Sequence, residues 1–285
     1  MKGLKINPKR VKKKLVDFIM GNVHNCGFER AVIGLSGGLD STTTAYLAAE
    51  ALGPPNLLGV IMPYKTTPKA DIADAKYICK NLGIRSKYID ITDMVDAYFK
   101  KIPPHTKSFG EGSKPPHQLY KNREMQIGEG VNLKNKIRRG NKMARERMSI
   151  LYDLSFDFNA LVLGTSNRTE ILLGYGTIYG DIACALNPMG GLYKCQVIQL
   201  AKFLKIPASI INKIPSAGFW KGQTDEGELG FIYKDVDKLL SCLIDKKYTS
   251  AQLIRKGFDK DFVYKVKQRI KKNRFKRQLP KIARI

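Results

Sequence analysis

Residues 31–42 read AVIGLSGGLDST, and the order of residue types in this stretch decides the fold. The apolar run from Ala31 through Gly34 to Leu35 ends abruptly in Ser36, Gly37, Gly38, Leu39, Asp40 and Ser41. A stretch of threonine, alanine and leucine with helical character follows at once. A buried strand, a glycine turn and a helix N-terminus in succession present backbone N–H groups to an anion. Glycine reaches positive φ without steric cost and lets the main chain approach a phosphate closely. Ser36 and Ser41 add hydroxyl groups, and Asp40 supplies a carboxylate where a cation would sit beside the phosphates. Two better-known loops are excluded: there is no Gly-Lys-Ser/Thr ending and no Gly-x-Gly-x-x-Gly.

Outward from this loop, short apolar strands alternate with helical patterns. The spacing predicts helices over 11–20, 42–49, 69–82 and 93–99, and strands over 57–62, 86–89 and 161–163. Gly83 marks a helix end, and Gly53-Pro54-Pro55 a break. Such alternation implies a doubly wound, mainly parallel α/β sheet flanked by helices, with ligands at the carboxyl ends of the strands. Further helices are predicted over 141–154, 194–204 and 234–244, and short basic helices over the last ~40 residues. Residues 100–138 interrupt the pattern with Pro, Gly, Lys and Asn, and read as a long inserted loop covering the site as a lid or as a disordered decoration. No internal repeat or second-domain boundary is visible, so residues 1–285 read as one domain.

The chain has 285 residues, enough to bury a substantial core. No apolar run reaches the ~20 residues of a membrane span, and residues 1–5 lack signal-peptide features. The five cysteines are scattered without a Cys-x-x-Cys pair, which argues against a disulfide framework or structural zinc. Together these features predict a cytoplasmic protein without a membrane partner. The net charge of +25 would attract polyanions. The basic residues, however, spread over the whole chain, as on a lysine-rich solvated surface; the densest run is KVKQRIKKNRFKR, 265–277.

A second polar cluster, GTSNRTE (164–170), follows the strand ending at Leu163 and lies at the same sheet edge as the first loop. Its Glu170 is a second carboxylate able to share Mg²⁺ with Asp40, since Mg²⁺ takes one or two carboxylates together with substrate phosphates and water. Then come GYGTIYGD (174–181), LNPMGGLYK (186–194) and PSAGFWKGQTDEGELG (215–230). Lys194 is a cation at the less favourable end of a helix dipole, a placement that makes sense beside an anion.

The Ser-Gly-Gly-x-Asp-Ser loop resembles that of the ATP pyrophosphatases, the adenine nucleotide alpha-hydrolase-like enzymes that cleave ATP to AMP and pyrophosphate. Taken in order, the later clusters resemble the ammonia-dependent NAD synthetases over nearly the whole chain. The resemblance implies that Gly34, Leu35, Ser36, Gly37, Gly38, Leu39, Asp40 and Ser41 hold ATP phosphates, and that Asp40 and Glu170 ligate Mg²⁺. It places Thr165, Lys194 and Ser216 at ATP, Asp40 and Lys194 in the chemistry, and Arg145 and Asp181 at deamido-NAD. ATP and Mg²⁺ are then the cofactors, deamido-NAD and ammonia the substrates, and a homodimer the assembly. The chain has no room for an attached amidase domain of ordinary size, so nitrogen comes from free ammonia or from a separate glutaminase.

Three positions depart from the common pattern. Ile178 replaces a lysine, Ala185 an aspartate, and Phe275 the histidine of a His-Lys pair that ends in Lys276; all three are associated with deamido-NAD. Two other functions compete. The charge and basic C-terminus would suit a tRNA-modifying enzyme of the same superfamily, or a basic nucleotide- or RNA-binding protein without catalysis. Against a nucleic-acid partner stand the missing Cys-x-x-Cys and the mid-chain series of motifs.

Overall fold

The computed structural model describes residues 4–102 and 127–283, apart from 217, 221 and 281. Helix α1 (Pro8–Asn25) opens on an Asn7 side chain that accepts the N–H of Arg10, with proline in the first turn. Strand β1 (Arg30–Gly34) then leads through the glycine loop into α2 (Leu39–Leu52), followed by β2 (Leu57–Ile61), α3 (Lys69–Leu82), β3 (Arg85–Tyr88) and α4 (Thr92–Lys101). Helix α5 (Ile127–Asp157) precedes β4 (Ala160–Leu163). The order is β3-β2-β1-β4, with every pairing parallel; Val32 lies level with Leu58 on one side and Val162 on the other.

Strand β2 is buried along its whole length, as an apolar run covered on both faces must be. Ala31, Ile33, Leu57 and Leu163 pack with α1, α2 and α3 on one face. Val32, Leu58, Val60 and Val162 pack with Val95 and Phe99 of α4 and Met148, Leu151 and Leu154 of α5 on the other. This is the doubly wound sheet implied by the sequence. The chain runs outward from β1 to β3 over the first face and returns over the second to place β4 beside β1. Winding therefore reverses between β1 and β4, and their carboxyl ends open a crevice at that switch point.

The rest of the chain is helical: α6 (Arg168–Leu173), α7 (Lys194–Phe203), α8 (Ala208–Ile211), α9 (Asp225–Leu229), α10 (Tyr233–Leu240), α11 (Ser250–Arg255) and α12 (Lys260–Lys272). A separate core of Leu173, Tyr193, Tyr233, Val236, Leu239, Leu253 and Val266 joins these C-terminal helices to α6. Among the described residues no helix is long and apolar enough to cross a membrane, and all five cysteines are free.

One boundary is corrected. The loop expected over residues 100–138 is helical at both ends, because α4 runs to Lys101 and α5 begins at Ile127. Tertiary pairing accounts for this at the α5 end: Arg139 Nη1 donates to Asp96 Oδ1 (2.7 Å) and Arg138 Nη2 to the Ile102 carbonyl (3.1 Å). Of the segment 100–138 expected as a lid, residues 103–126 lie outside the described residues.

Candidate active site

The loop between β1 and α2 is ordered by its own hydroxyls. Ser36 N–H donates to Ser41 Oγ (3.3 Å), Gly38 N–H donates to Ser36 Oγ (3.2 Å), and Ser41 Oγ donates to the Gly38 carbonyl (3.2 Å). Gly38 caps α2 without a side chain of its own, so the helix start keeps free N–H groups. Gly37 has φ of +74°, and a Cβ there would lie 2.1 Å from the Asp71 carbonyl oxygen. No other residue type fits. Asp40 stands in the first turn of α2.

Across the crevice, the β4–α6 loop carries Gly164, half-buried Thr165 and fully buried Asn167. Asn167 and Glu170 form a capping box: Glu170 N–H donates to Asn167 Oδ1 (3.1 Å), and Asn167 N–H donates to Glu170 Oε2 (3.1 Å). Asn167 Nδ2 also donates to Asp40 Oδ1 (3.1 Å), which ties the two loops together. The cap thus fixes Glu170 on the wall facing Asp40.

Lys194, at the start of α7, is only 3 % exposed. Its ammonium bonds Asp40 Oδ2 and lies 3.8 Å from Glu170 Oε1. Burial alone would depress the lysine, but Asp40 and Glu170 reverse that and raise its pKa. Glu170 is pushed up to about 8 by burial first and by the neighbouring Asp40 second, with Lys194 opposing. Two carboxylates share one ammonium in this crevice, beside free helix N–H groups.

A buried polar layer holds this cluster from behind. Asp237 of α10 is fully buried; its oxygens accept the Thr169 hydroxyl (2.5 Å) and the Cys195 N–H (2.8 Å). Thr169 Oγ1 accepts the Lys194 N–H (3.0 Å). Neighbours of Glu170 and Lys194 are thereby pinned by one carboxylate at the helix N-terminus. The Lys194 ammonium lies 5.3 Å from the Tyr233 ring centroid. Tyr233 and Tyr175 both donate to Asp225 (3.0 and 2.9 Å), and burial drives both phenols strongly upward.

The remaining residues singled out in the sequence are more dispersed. Arg145 is exposed on α5, and its Nε donates to the Ile178 carbonyl (3.2 Å). Asp181 Oδ1 accepts the Thr177 N–H (2.8 Å), and Thr177 Oγ1 donates to Asn141 Oδ1 (2.8 Å), so the 174–181 loop is docked on α5 beside Arg145. Ser216 is exposed; its Oγ accepts the Gly218 N–H (3.1 Å), and no hydrogen bond links it to the Asp40–Lys194 cluster among the described residues. Ala185 is exposed, as is Phe275, whereas Lys276 Nζ is occupied by the Gly174 and Gly176 carbonyls (2.9 and 2.8 Å).

The sequence reading passed over Asn167, Asp237, Lys213 and Arg147. Arg147 Nε donates to the Met62 carbonyl (2.9 Å) at the end of β2, and burial lowers its guanidinium to about 10. Asn167 was within reach, since Asn followed three residues later by Glu is a helix-start pattern. The others owe their place to contacts between distant segments.

The family model described as NAD synthase matches residues 11–280. The chain belongs to the NAD synthase family. Within it, the chain is 44% identical over 285 residues to the NH(3)-dependent NAD(+) synthetase of Fusobacterium nucleatum, covering 100% of this chain and 99% of that protein. It is equally identical to the enzyme of the same name from Trichlorobacter lovleyi, with 94% of that protein covered. Among solved structures, the NMN synthetase from Francisella tularensis superposes with a TM-score of 0.78 at 30% identity, covering 99% of this chain and all of that one. The NH3-dependent NAD synthetase from Campylobacter jejuni, in complex with the nitrate ion, gives 0.73 at 33% identity over 98% and 100%. The parallel sheet and glycine loop described above are the NAD synthase fold.

Proposed function

We propose that this chain converts deamido-NAD to NAD, joining ammonia to the nicotinate carboxylate while cleaving ATP to AMP and pyrophosphate. One observation carries the reading. Asp40 meets Glu170 and Lys194, 130 and 154 residues further along the chain, beside free helix N–H groups at the switch point. The family membership and the NH(3)-dependent synthetases similar over the full length support it. They do not favour an RNA-modifying enzyme or a non-catalytic binder.

A carboxylate is a poor electrophile because oxide is a poor leaving group. In the proposed first step a nicotinate oxygen attacks the α-phosphorus of ATP, the bond to the β-phosphate oxygen breaks, and pyrophosphate leaves. Ammonia then forms the C–N bond, the bond to the AMP oxygen breaks, and one proton is lost. The chain's own part is to position and to stabilise charge. Residues Gly34 to Ser41 would hold the phosphates, with Thr165 and Ser216 at the nucleotide and Arg145 and Asp181 at deamido-NAD. Lys194 would meet the charge developing on the phosphates.

The donor set suits Mg²⁺. Asp40 and Glu170 converge on a single cationic point, and burial first, then the neighbouring Asp40, pushes Glu170 up to about 8. Both are hard oxygen donors, and phosphates and water would complete the shell. Mg²⁺ bound there would neutralise the polyphosphate and polarise its oxygens.

The nitrogen source is free ammonia or ammonia released by a separate glutaminase. The glutamine-dependent NAD+ synthetase of Acinetobacter baumannii is matched over only 47% of its length, at 26% identity. A homodimer is the assembly proposed on the family resemblance.

The likeness to an NMN synthetase favours a second reading in which the product is the mononucleotide. Incubation with ATP, Mg²⁺, ammonium and either deamido-NAD or nicotinate mononucleotide separates them. NAD, AMP and pyrophosphate in equal amounts from deamido-NAD is the expected result. Preference for the mononucleotide by kcat/KM would transfer the assignment to the second reading, and ATP cleavage without amide would defeat both.

A further inference from the structure

Lys213 follows α8 and is 176 residues from Gly37 in sequence, yet its Nζ donates to the Gly37 carbonyl (2.9 Å). The same ammonium bonds Asp71 Oδ1 (2.8 Å) and Asp74 Oδ2 (2.5 Å) in the first two turns of α3. The backbone of Asp71 packs so closely on Gly37 that a Cβ there has no room. The outer side of the nucleotide loop is therefore gripped by α3 and by one lysine from the C-terminal half.

The grip bears on one peptide. The Gly37 carbonyl and the Gly38 N–H belong to a single planar trans unit and point in opposite directions. Holding the oxygen outward on Lys213 turns the Gly38 N–H inward, where it meets Ser36 Oγ (3.2 Å). Two consecutive glycines do not enforce that orientation themselves, because glycine populates both signs of φ with similar ease. A flipped unit would aim a carbonyl oxygen, not an N–H, at the polyphosphate. Lys213 itself is not built as a phosphate ligand: two carboxylates overbalance its charge, so the cluster repels an anion rather than attracting one.

We propose that Lys213 is a positioning residue for ATP: it locks the Gly37–Gly38 peptide with its N–H facing the phosphates. Lys213 lies three residues before Ser216, so the same contact ties the segment assigned to ATP at Ser216 to the loop at Ser36. The inference rests on the reading of this loop as the ATP site.

The test compares wild type, Lys213→Met and Lys213→Arg. ATP with Mg²⁺ is titrated calorimetrically in the absence of the second substrate, and KM is measured for ATP and deamido-NAD separately. Losing a charge-assisted hydrogen bond that orients the peptide should weaken ATP binding about tenfold in Lys213→Met. The KM for deamido-NAD should stay within about twofold, and Lys213→Arg should recover most of the loss. A general loss of stability would move both KM values together, and that result overturns the proposal, as does an unchanged ATP affinity. Should Lys213→Met fail to fold, Lys213→Gln is read in the same way. If wild type binds ATP but makes no NAD, the functional assignment fails, while the ATP affinities still decide the role of Lys213. A wild type that binds no ATP overturns both.

Discussion

Asp40 and Glu170 share one buried ammonium, and the consequences of removing either follow from that sharing. In Asp40→Asn the stronger partner of Lys194 is neutralised, but so is the charge that helps push Glu170 upward. Glu170 then ionises more readily and takes over the pairing, so folding stability should fall by less than about 2 kcal/mol, below the usual cost of orphaning a buried charge. Turnover should fall by about 10²–10³ through the lost electrostatic stabilisation; calorimetric melting and the product assay measure the two effects. Retained activity would remove Asp40 from the site. Glu170 also gives the free protein a pH signature. Its carboxyl ionises near 4.5 in the unfolded chain and near 8 in the fold, so between those values the folded state holds the extra proton. Stability must therefore decline as pH rises across that window, and Glu170→Gln should flatten the decline in urea titrations run without Mg²⁺.

At the scale of elements, α3 lies at 69–82 as the spacing predicts, because Gly83 adopts the left-handed conformation that ends it (φ +63°). The start of α5 was not legible. Gly128, Gly130 and a lack of periodicity argue against a helix there; the α4 contacts that hold α5, on the same face of the sheet, come further along, at Arg138 and Arg139. Asp96 of α4 accepts Tyr64 Oη (2.7 Å) and Arg139 Nη1 (2.7 Å) and pairs with Lys65. Lys65 and then these other donors hold its carboxyl below the ordinary value of 3.8, against the opposing effect of burial. Asp96→Asn should cost about 1–2 kcal/mol at pH 7, a modest figure because the network is partly open to solvent. A depressed folded value means that this stability is present above 3.8 and is lost as pH falls through the lower folded value. The difference between wild type and variant in urea unfolding should thus shrink in strong acid; a constant difference would show that shape, not charge, carries it. The same logic explains the site. Asp40, Glu170 and Lys194 stood out because their motifs are local, whereas Asp237 and Lys213 are an ordinary aspartate and lysine until folding sets them against Cys195 and Gly37.

Over the whole molecule, the basic C-terminus acts on the site by a route that charge alone does not suggest. Arg277 Nη1 donates to the Leu172 and Ile171 carbonyls (2.6 and 3.3 Å), Arg269 Nε to the Leu173 carbonyl (3.2 Å), and Lys276 Nζ to Gly174 and Gly176. These carbonyls belong to the last turn of α6 and to the segment just after it, at the negative pole of a short helix whose first turn carries Glu170. A helix of six residues has little stability of its own, so its N-terminal cap and its C-terminal cations together set the position of Glu170. The paired variant Lys276→Met with Arg277→Met should remove the side-chain donors from four of these carbonyls, at a cost of about 2–4 kcal/mol. Because the sheet core on β1 packs apart from the C-terminal cluster, the loss should be local. Amide exchange across 168–176 should quicken at least about tenfold while residues 31–34 stay protected, and kcat should fall with Glu170 loosened. Equal quickening in both segments would mean that the C-terminus supports the fold as a whole and has no particular hold on the wall that carries Glu170.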